Sequence, residues 1–362
     1  MAYTNIDVPS AYFQTALYAG NGGTQSITND GNSDLQPDWV WTKSRSDSSF
    51  HLVTDSTRGT TKRIYPNSTA AEESHSNMVT AFNSDGFSIG NHSAINTSGY
   101  NYVGWQWKAN GGTTASNTDG DINSTVQVNQ DAGFSIVTYT GNGSTADQTV
   151  GHGLGVRANA VLVKNRDSAA NWVVYVDGLA VNHCLELNTT DPQSDSTQGR
   201  VLSSSAGSYG TSSIFTLRNG SGSVVQTNTS GEDYVAYCFA EKQGYSKFGS
   251  YVGNGNANGP FVYTGFKPAF VMMKRSDAAG SSWAIFDNKR SDSGFNVIDK
   301  EIAANENSAE YDRAAANTDF LSNGFKIRNT DGWHNTSGGT YIYMAFAENP
   351  FTTSTGIPTT AR

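Results

Sequence analysis

LYAGNGGTQSI, residues 17–27, returns in altered form as VTYTGNGSTAD at residues 137–147 and as GSYVGNGNANG at residues 249–259. The Gly-Asn-Gly triplets stand 121 and then 112 residues apart, each behind a run of alternating apolar and polar residues that ends in an aromatic stretch. A glycine-rich loop that cradles a phosphate lies between a strand and a helix N-terminus, where free N–H groups and the helix dipole meet the anion. The residues that follow here, TQSIT, STADQTV and NANGPFVY, have no helical spacing of apolar positions. Gly-Asn-Gly instead offers positive φ on both sides of an asparagine that tolerates it, which suits a hairpin or bulged turn. The triplets therefore read as one turn made three times, and the fold as tandem copies of one all-β unit.

Other features keep the same phase. An apolar strand running into basic residues recurs as PDWVWTKSR (37–45), ANAVLVKNR (158–166) and PAFVMMKRS (268–276). A strand that stops at aspartate follows in each copy: FHLVTD (50–55), WVVYVD (172–177) and WAIFD (283–287). Later come DGFSIG (85–90), SIFTLRNG (213–220) and NGFKIRN (323–329), and each copy closes on an aromatic strand, YVGWQWKA (102–109), YVAYCFAE (234–241) or YIYMAFAE (341–348). Six to eight strands per copy suit a two-sheet sandwich of the jelly-roll or concanavalin-like kind. The sequence thus divides into an N-terminal arm (1–11), three sandwiches (12–110, 133–243, 244–352), a linker (111–132) and a tail (353–362). ANGGTTASNTDGDINST (109–125) is a flexible linker by composition. The Ala- and Glu-bearing stretches at 68–82 and 299–315 suggest a short helix or a long loop.

Composition agrees with strands and turns. Of 362 residues, 36% are hydrophobic, 11% aromatic and only 15% charged, so good helix formers are scarce while strand and turn formers abound. A formal charge of −9 leaves no basic field to neutralise phosphates, which argues against nucleic acid as a partner. No run approaches the ~20 apolar residues of a membrane span, and MAYTNIDVPS lacks the pattern of a signal peptide, so no membrane insertion and assembly in a cytoplasm are expected.

Sites of chemistry are sparse in the sequence. Cys184 and Cys238 read as buried thiols, and the six histidines fall in no metal-ligand spacing. His183 and Cys184 are neighbours on a strand and so face opposite ways, which is wrong for a thiolate–imidazole couple. No catalytic residue, metal ligand or cofactor is assigned. By the repeat, Lys43, Arg45, Asp55 and Arg58 meet at adjacent strand ends, where Asp55 would pair with a basic group and pin a loop; Lys164, Asp177, Lys274 and Asp287 are their counterparts. A large aromatic in a polar loop either is buried under that loop and anchors it or meets a partner. Trp333 and His334 in NTDGWHNTSGG (329–339), with His92 in the corresponding GNHSAINTSG (90–99), are the candidate contacts for a partner or a glycan.

The succession Y-x-GNG, P-x-x-V-x-x-K-x-R, an aspartate-ended strand followed by Asp55-Ser56-Thr57-Arg58-Gly59, then DGF and Y-V-x-W-x-W-K resembles a repeat of tail and tail-fibre structural proteins from marine and cyanobacterial tailed phages. The likeness covers about residues 12–351. It departs in the second copy, where Asp177-Gly178-Leu179-Ala180 has no arginine, and in the third, where Asn288-Lys289-Arg290 shifts the arginine and drops the glycine. The resemblance implies a non-enzymatic virion protein that contacts other virion proteins and forms a homo-oligomer, with a trimer among the states allowed. It leaves open a receptor-binding module for host surface glycan and a capsid decoration or head-fibre role. A structural role implies that the arm, residues 1–11, orders on a partner protein.

Overall fold

The computed structural model describes residues 3–195, 209–218, 226–291, 296–313 and 317–359. It is an all-β structure built on larger antiparallel sheets that share one strand order. In the first, Phe13–Ala19 pairs with Asn101–Trp107, which pairs with Trp39–Ser44, which pairs with Leu52–Asp55. The second repeats this with Phe134–Thr140, Asp233–Phe239, Ala160–Asn165 and Val173–Val176, and the third with Ser246–Val252, Thr340–Pro350, Phe266–Arg275 and Ala284–Asp287. The closing aromatic strand of each copy thus lies in the middle of its sheet, next to the opening strand, and is buried on both faces along most of its length. A strand buried on both faces reads as a near-continuous apolar run, and these do.

Each larger sheet packs one face on a small sheet of its own. Gln25–Ile27, Phe87–Ile89 and Val79–Phe82 cover the first; Gln148–Gly151 and Ile214–Leu217 the second; Phe261–Tyr263, Gly324–Ile327 and Thr318–Leu321 the third. Ala16, Val40, Leu52, Phe87 and Ile89 fill the layer between the sheets of the first unit. The sandwich expected from the sequence is present, but the largest aromatics are elsewhere. They sit on the opposite face of each larger sheet, in one core shared by all three. Trp107, Phe239 and Phe346 occupy the same register position and meet there, with ring centroids 5.5, 5.6 and 6.5 Å apart. Alternation along TrpValTrp explains the split: Trp39 and Trp41 point to the common core and Val40 to the small sheet.

Several expectations change. The stretch read as a flexible linker carries Ala115–Asn117 and Ser124–Asn129, which extend the second sheet beyond Phe134–Thr140. Its glycine turn is tied down because the buried Asp38 carboxylate accepts from Ala109 N (2.7 Å), Gly111 N (3.0 Å) and Gly112 N (2.9 Å). The segments suggested as helix or loop form strand pairs instead, Lys62–Arg63 with Glu73–Ser74 and Lys300–Ala303 with Tyr311–Asp312; residues 314–315 lie outside the described residues. Finally, the N-terminal arm orders on its own chain. Tyr3 Oη donates to Gly265 O (2.6 Å), Thr4 and Ile6 are buried, and Asp7 accepts from Ser354 (2.6 Å), which joins the start of the chain to the third unit.

Candidate functional site

The turns that opened the sequence reading are locked by an asparagine late in each copy. Asn96, Asn228 and Asn335 accept, through Oδ1, the backbone N–H of Asn21 (2.8 Å), Asn142 (2.9 Å) and Asn254 (2.7 Å). The first glycine of each triplet lies against backbone: a Cβ on Gly20 would stand 2.1 Å from Thr97 O. Strands, not helices, follow each triplet.

The in-phase basic and acidic residues are buried where units meet. In the seam between the first and second units, Arg58 donates from Nε to Asp55 Oδ2 (2.5 Å) and from Nη1 to Glu72 Oε2 (2.8 Å). Tyr237 of the second unit donates to the same Asp55 oxygen (2.7 Å), and Arg166 of the second unit clasps Glu72 with two bonds of 3.0 Å. The seam between the third and first units repeats the arrangement. Arg290 donates to Asp287 (2.6 Å) and Glu310 (3.0 Å), Trp105 of the first unit donates to Asp287 (2.9 Å), and Arg45 holds Glu310 bidentately (2.8 and 2.9 Å). Arg290 follows Asp287 by three positions just as Arg58 follows Asp55, so the arginine of the third copy is not shifted.

The remaining seam, between the second and third units, carries a different set at every one of these positions. Val176 pairs with Ala160 as Asp55 pairs with Trp39, so Val176, not Asp177, is the counterpart of Asp55. Leu179 stands where Arg58 stands and Met344 where Tyr237 and Trp105 stand, while Gln193 and Ser276 replace the outer glutamate and arginine; the last two are placed by the shared backbone bond of Gln193 N to Ser276 O. Asp177 turns outward and pairs with Arg157 (2.7 Å). Burying an ion pair costs much of what the pairing returns, so an apolar set can take its place without loss.

One further ring of contacts ties the units cyclically. Trp172 Nε1 donates to Tyr65 O of the first unit (2.8 Å) and Trp283 Nε1 to Glu186 O of the second (3.0 Å). The first unit has His51 in that position. Trp41 Nε1 donates to His51 Nδ1 (2.9 Å), so the ring proton lies on Nε2, which donates to Ala303 O of the third unit (3.0 Å). Burial holds His51 well below the usual histidine range. Lys43, Lys164 and Lys274 are also buried, each donating to a neighbouring carbonyl; Lys164 reaches Thr69 O (3.1 Å) and Lys274 reaches Thr190 O (3.4 Å) in the preceding unit. Burial pushes all three amines down to about 8.

The candidate partner contacts separate. Trp333 lies in the helical turn Gly332–Asn335, half-buried, with the Arg313 guanidinium 4.2 Å over its ring and 4.8 Å over Tyr311. His334 is wholly buried and no surface contact: its Nε2 lies 3.2 Å from the equally buried Glu301. The counterpart of His334 is Ile95 in the turn Ser93–Asn96, and His92 corresponds to Asp331, each capping its turn through a bond to the residue two on. His92 instead meets His75 (centroids 5.2 Å) beside Glu73, whose carboxyl the Tyr65 and Arg63 hydrogen bonds hold down to about 2. The same corner thus carries different chemistry in the first and third units. Sequence spacing could not reveal Arg313, because only the strand pairing brings it over Trp333.

What fold and site define is an all-β protein whose sheets share a core and whose repeated polar residues are buried between units. The chain belongs to the family described as "Domain of unknown function (DUF7483)", which matches residues 8–350. The match runs through all three larger sheets, so the unit of the family includes the shared core. No curated protein and no solved structure matches the chain.

Proposed function

We propose that the chain is a non-enzymatic structural protein of a tailed-phage virion, a tail or tail-fibre component that contacts other virion proteins as a homo-oligomer. One observation supports this reading most: of the residues repeated in phase, Asp55, Arg58, Lys164, Lys274 and Asp287 are buried and bond across to a neighbouring unit, with Arg290 held on Asp287, instead of lining a reactive cleft. A repeat signature spent on joining units belongs to a body that must hold its shape under load. Gold-labelled antibody against the protein on purified particles is the test; label confined to the tail supports it, and particles without label refute it.

A second reading, recognition of a host surface glycan, draws support from the corner of the third unit. There Trp333 and Tyr311 flank Arg313, itself 3.4 Å from Asp331, and such half-exposed aromatics beside polar groups suit a sugar face. A glycan array probed with the intact chain and with Trp333→Ala tests it: equal signals from both would remove the corner from consideration.

A further inference from the structure

A cavity of about 200 Å³ opens in the seam between the third and first units, walled by Ser10 and Thr15 on one side and by Asn288, Lys289 and Glu348 on the other, with Asp30 at its rim. Internal comparison shows why it exists. The residue opposite Trp105 is Thr15, the residue opposite Tyr237 is Ile136, and the residue opposite Met344 is Phe248. In the other two seams that position is therefore filled by a large apolar side chain, and both Ile136 and Phe248 are buried. The facing loop also differs. Ser56 and Thr57 close the first seam by bonding Gln127, with Gln127 Nε2 donating at 2.9 and 2.8 Å. Gly178 closes the second by packing against Ser250, which a Cβ would approach to 2.7 Å. Asn288 and Lys289 instead turn aside, to Glu348 (2.9 Å) and Asp30 (2.8 Å), and leave the space beside Thr15 open.

The wall chemistry selects a ligand class. The hydroxyls of Thr15, 5% exposed, and Ser10 have no hydrogen-bond partner among the described residues, which buried polar groups rarely tolerate. The charges are balanced in place, Lys289 by Asp30 (2.8 Å) and Glu348 by Lys267 (2.9 Å), so an ion gains no free countercharge. Hydroxyls, a carboxamide and neutralised charges together offer alternating donors and acceptors, which a neutral polyhydroxylated molecule matches. At 200 Å³ the space lies below the ~300–1,000 Å³ of pockets for drug-sized ligands, and so suits a single small unit.

We propose that this seam is a binding site for one neutral sugar unit or a polyol of similar size, created by the Thr15 position and shaped by the Asn288–Lys289 loop. The site is separate from the Trp333 corner and does not depend on the virion reading.

The test uses the full chain with free neutral hexoses, N-acetylhexosamines and glycerol as probes, read by saturation-transfer NMR and by chemical-shift change at the Thr15 methyl. A hexose or N-acetylhexosamine should give both signals. Thr15→Ile, which copies the native filling at Ile136, should keep or raise the melting temperature and weaken binding roughly tenfold or more. Asn288→Ala should weaken it from the facing wall, which covers the case of a poorly folded Thr15 variant. Trp333→Ala should leave this binding unchanged, which separates the seam from the corner. Absence of signal from every probe, or unaltered binding by a folded Thr15→Ile chain, overturns the proposal and leaves a water-filled cleft.

Discussion

Tyr237 Oη lies 2.7 Å from Asp55 Oδ2, although 182 residues separate them, and the same oxygen takes the Arg58 Nε bond. Trp105 and Asp287 reproduce that relation across another seam at 2.9 Å. Where the third instance is due, Val176 and Met344 are both apolar and buried. One backbone arrangement thus accepts either a buried ionic set or a buried apolar one, provided every member changes together.

The exchange can be tested directly. Removing one partner from a buried pair strands the other, at a cost of ~3–5 kcal/mol. Arg58→Leu alone should therefore lower the urea midpoint sharply. Asp55→Val, Arg58→Leu, Glu72→Gln, Arg166→Ser and Tyr237→Met together copy the seam between the second and third units, and should recover most of that loss. If the combined chain is no more stable than Arg58→Leu, the apolar seam is not an equivalent solution.

How much of this was legible beforehand follows from what spacing can carry. The turns, strands and repeated lysines were readable because the period-2 and Gly-Asn-Gly signals are local. The aspartate register was not: WVVYVD ends in an aspartate one residue beyond the strand position that Asp55 and Asp287 hold, and only pairing with Ala160 shows that Val176 takes that place. The shared core escaped for a related reason, since alternation tells that a strand has two faces without telling which covers which. Likewise His334 reads as a loop residue until Glu301, on a strand 33 positions earlier, is found beside it.

His51 makes the contact between the first and third units acid-sensitive. Its Nδ1 accepts from Trp41, so protonation would force out that bond, and burial already disfavours the charge. A histidine whose folded pKa lies below its unfolded value binds its proton in the unfolded chain first. Stability is then intact above the unfolded value, ~6.5, and falls as the pH drops below it. Urea midpoints measured at falling pH, with Trp41 fluorescence as reporter, should decline below that point, and His51→Asn should flatten the decline from a lower starting stability. A decline of unchanged slope in the variant would assign it to other groups, the buried His152 among them.

The three buried lysines act at the other end of the scale, with the opposite consequence for base. Each is held down to about 8, below the unfolded value of ~10.4, so between these limits the unfolded chain binds more protons than the folded one. Stability must rise with pH across that interval. Above ~10 the rise is opposed by Tyr18, Tyr139 and Tyr251, whose burial pushes their hydroxyls up and keeps them neutral while unfolded tyrosines ionise. A stability maximum on the alkaline side of neutrality is expected in urea titrations, and Lys164→Met should reduce the slope between pH 8 and 10. A flat profile in the parent chain would mean that the amines find water in solution.

The first glycine of each triplet should be the least replaceable residue of its turn, for a reason distinct from backbone angle. Gly141 has no positive φ among the turn residues, yet a Cβ there would stand 2.2 Å from Thr229 O, a backbone atom held by the turn that Asn228 fastens. Gly231 does have positive φ, at 79°, but nothing lies near its missing Cβ. Alanine at position 231 therefore meets only the left-handed penalty of ~1–2 kcal/mol, whereas alanine at position 141 must push one strand end away from another. Thermal unfolding of Gly141→Ala and Gly231→Ala should rank the first as the more damaging, with lost protection of the Asn142 amide in hydrogen exchange. Equal melting temperatures would show that the turn yields to the added methyl group, and that close approach to Thr229 O is not what requires glycine at position 141.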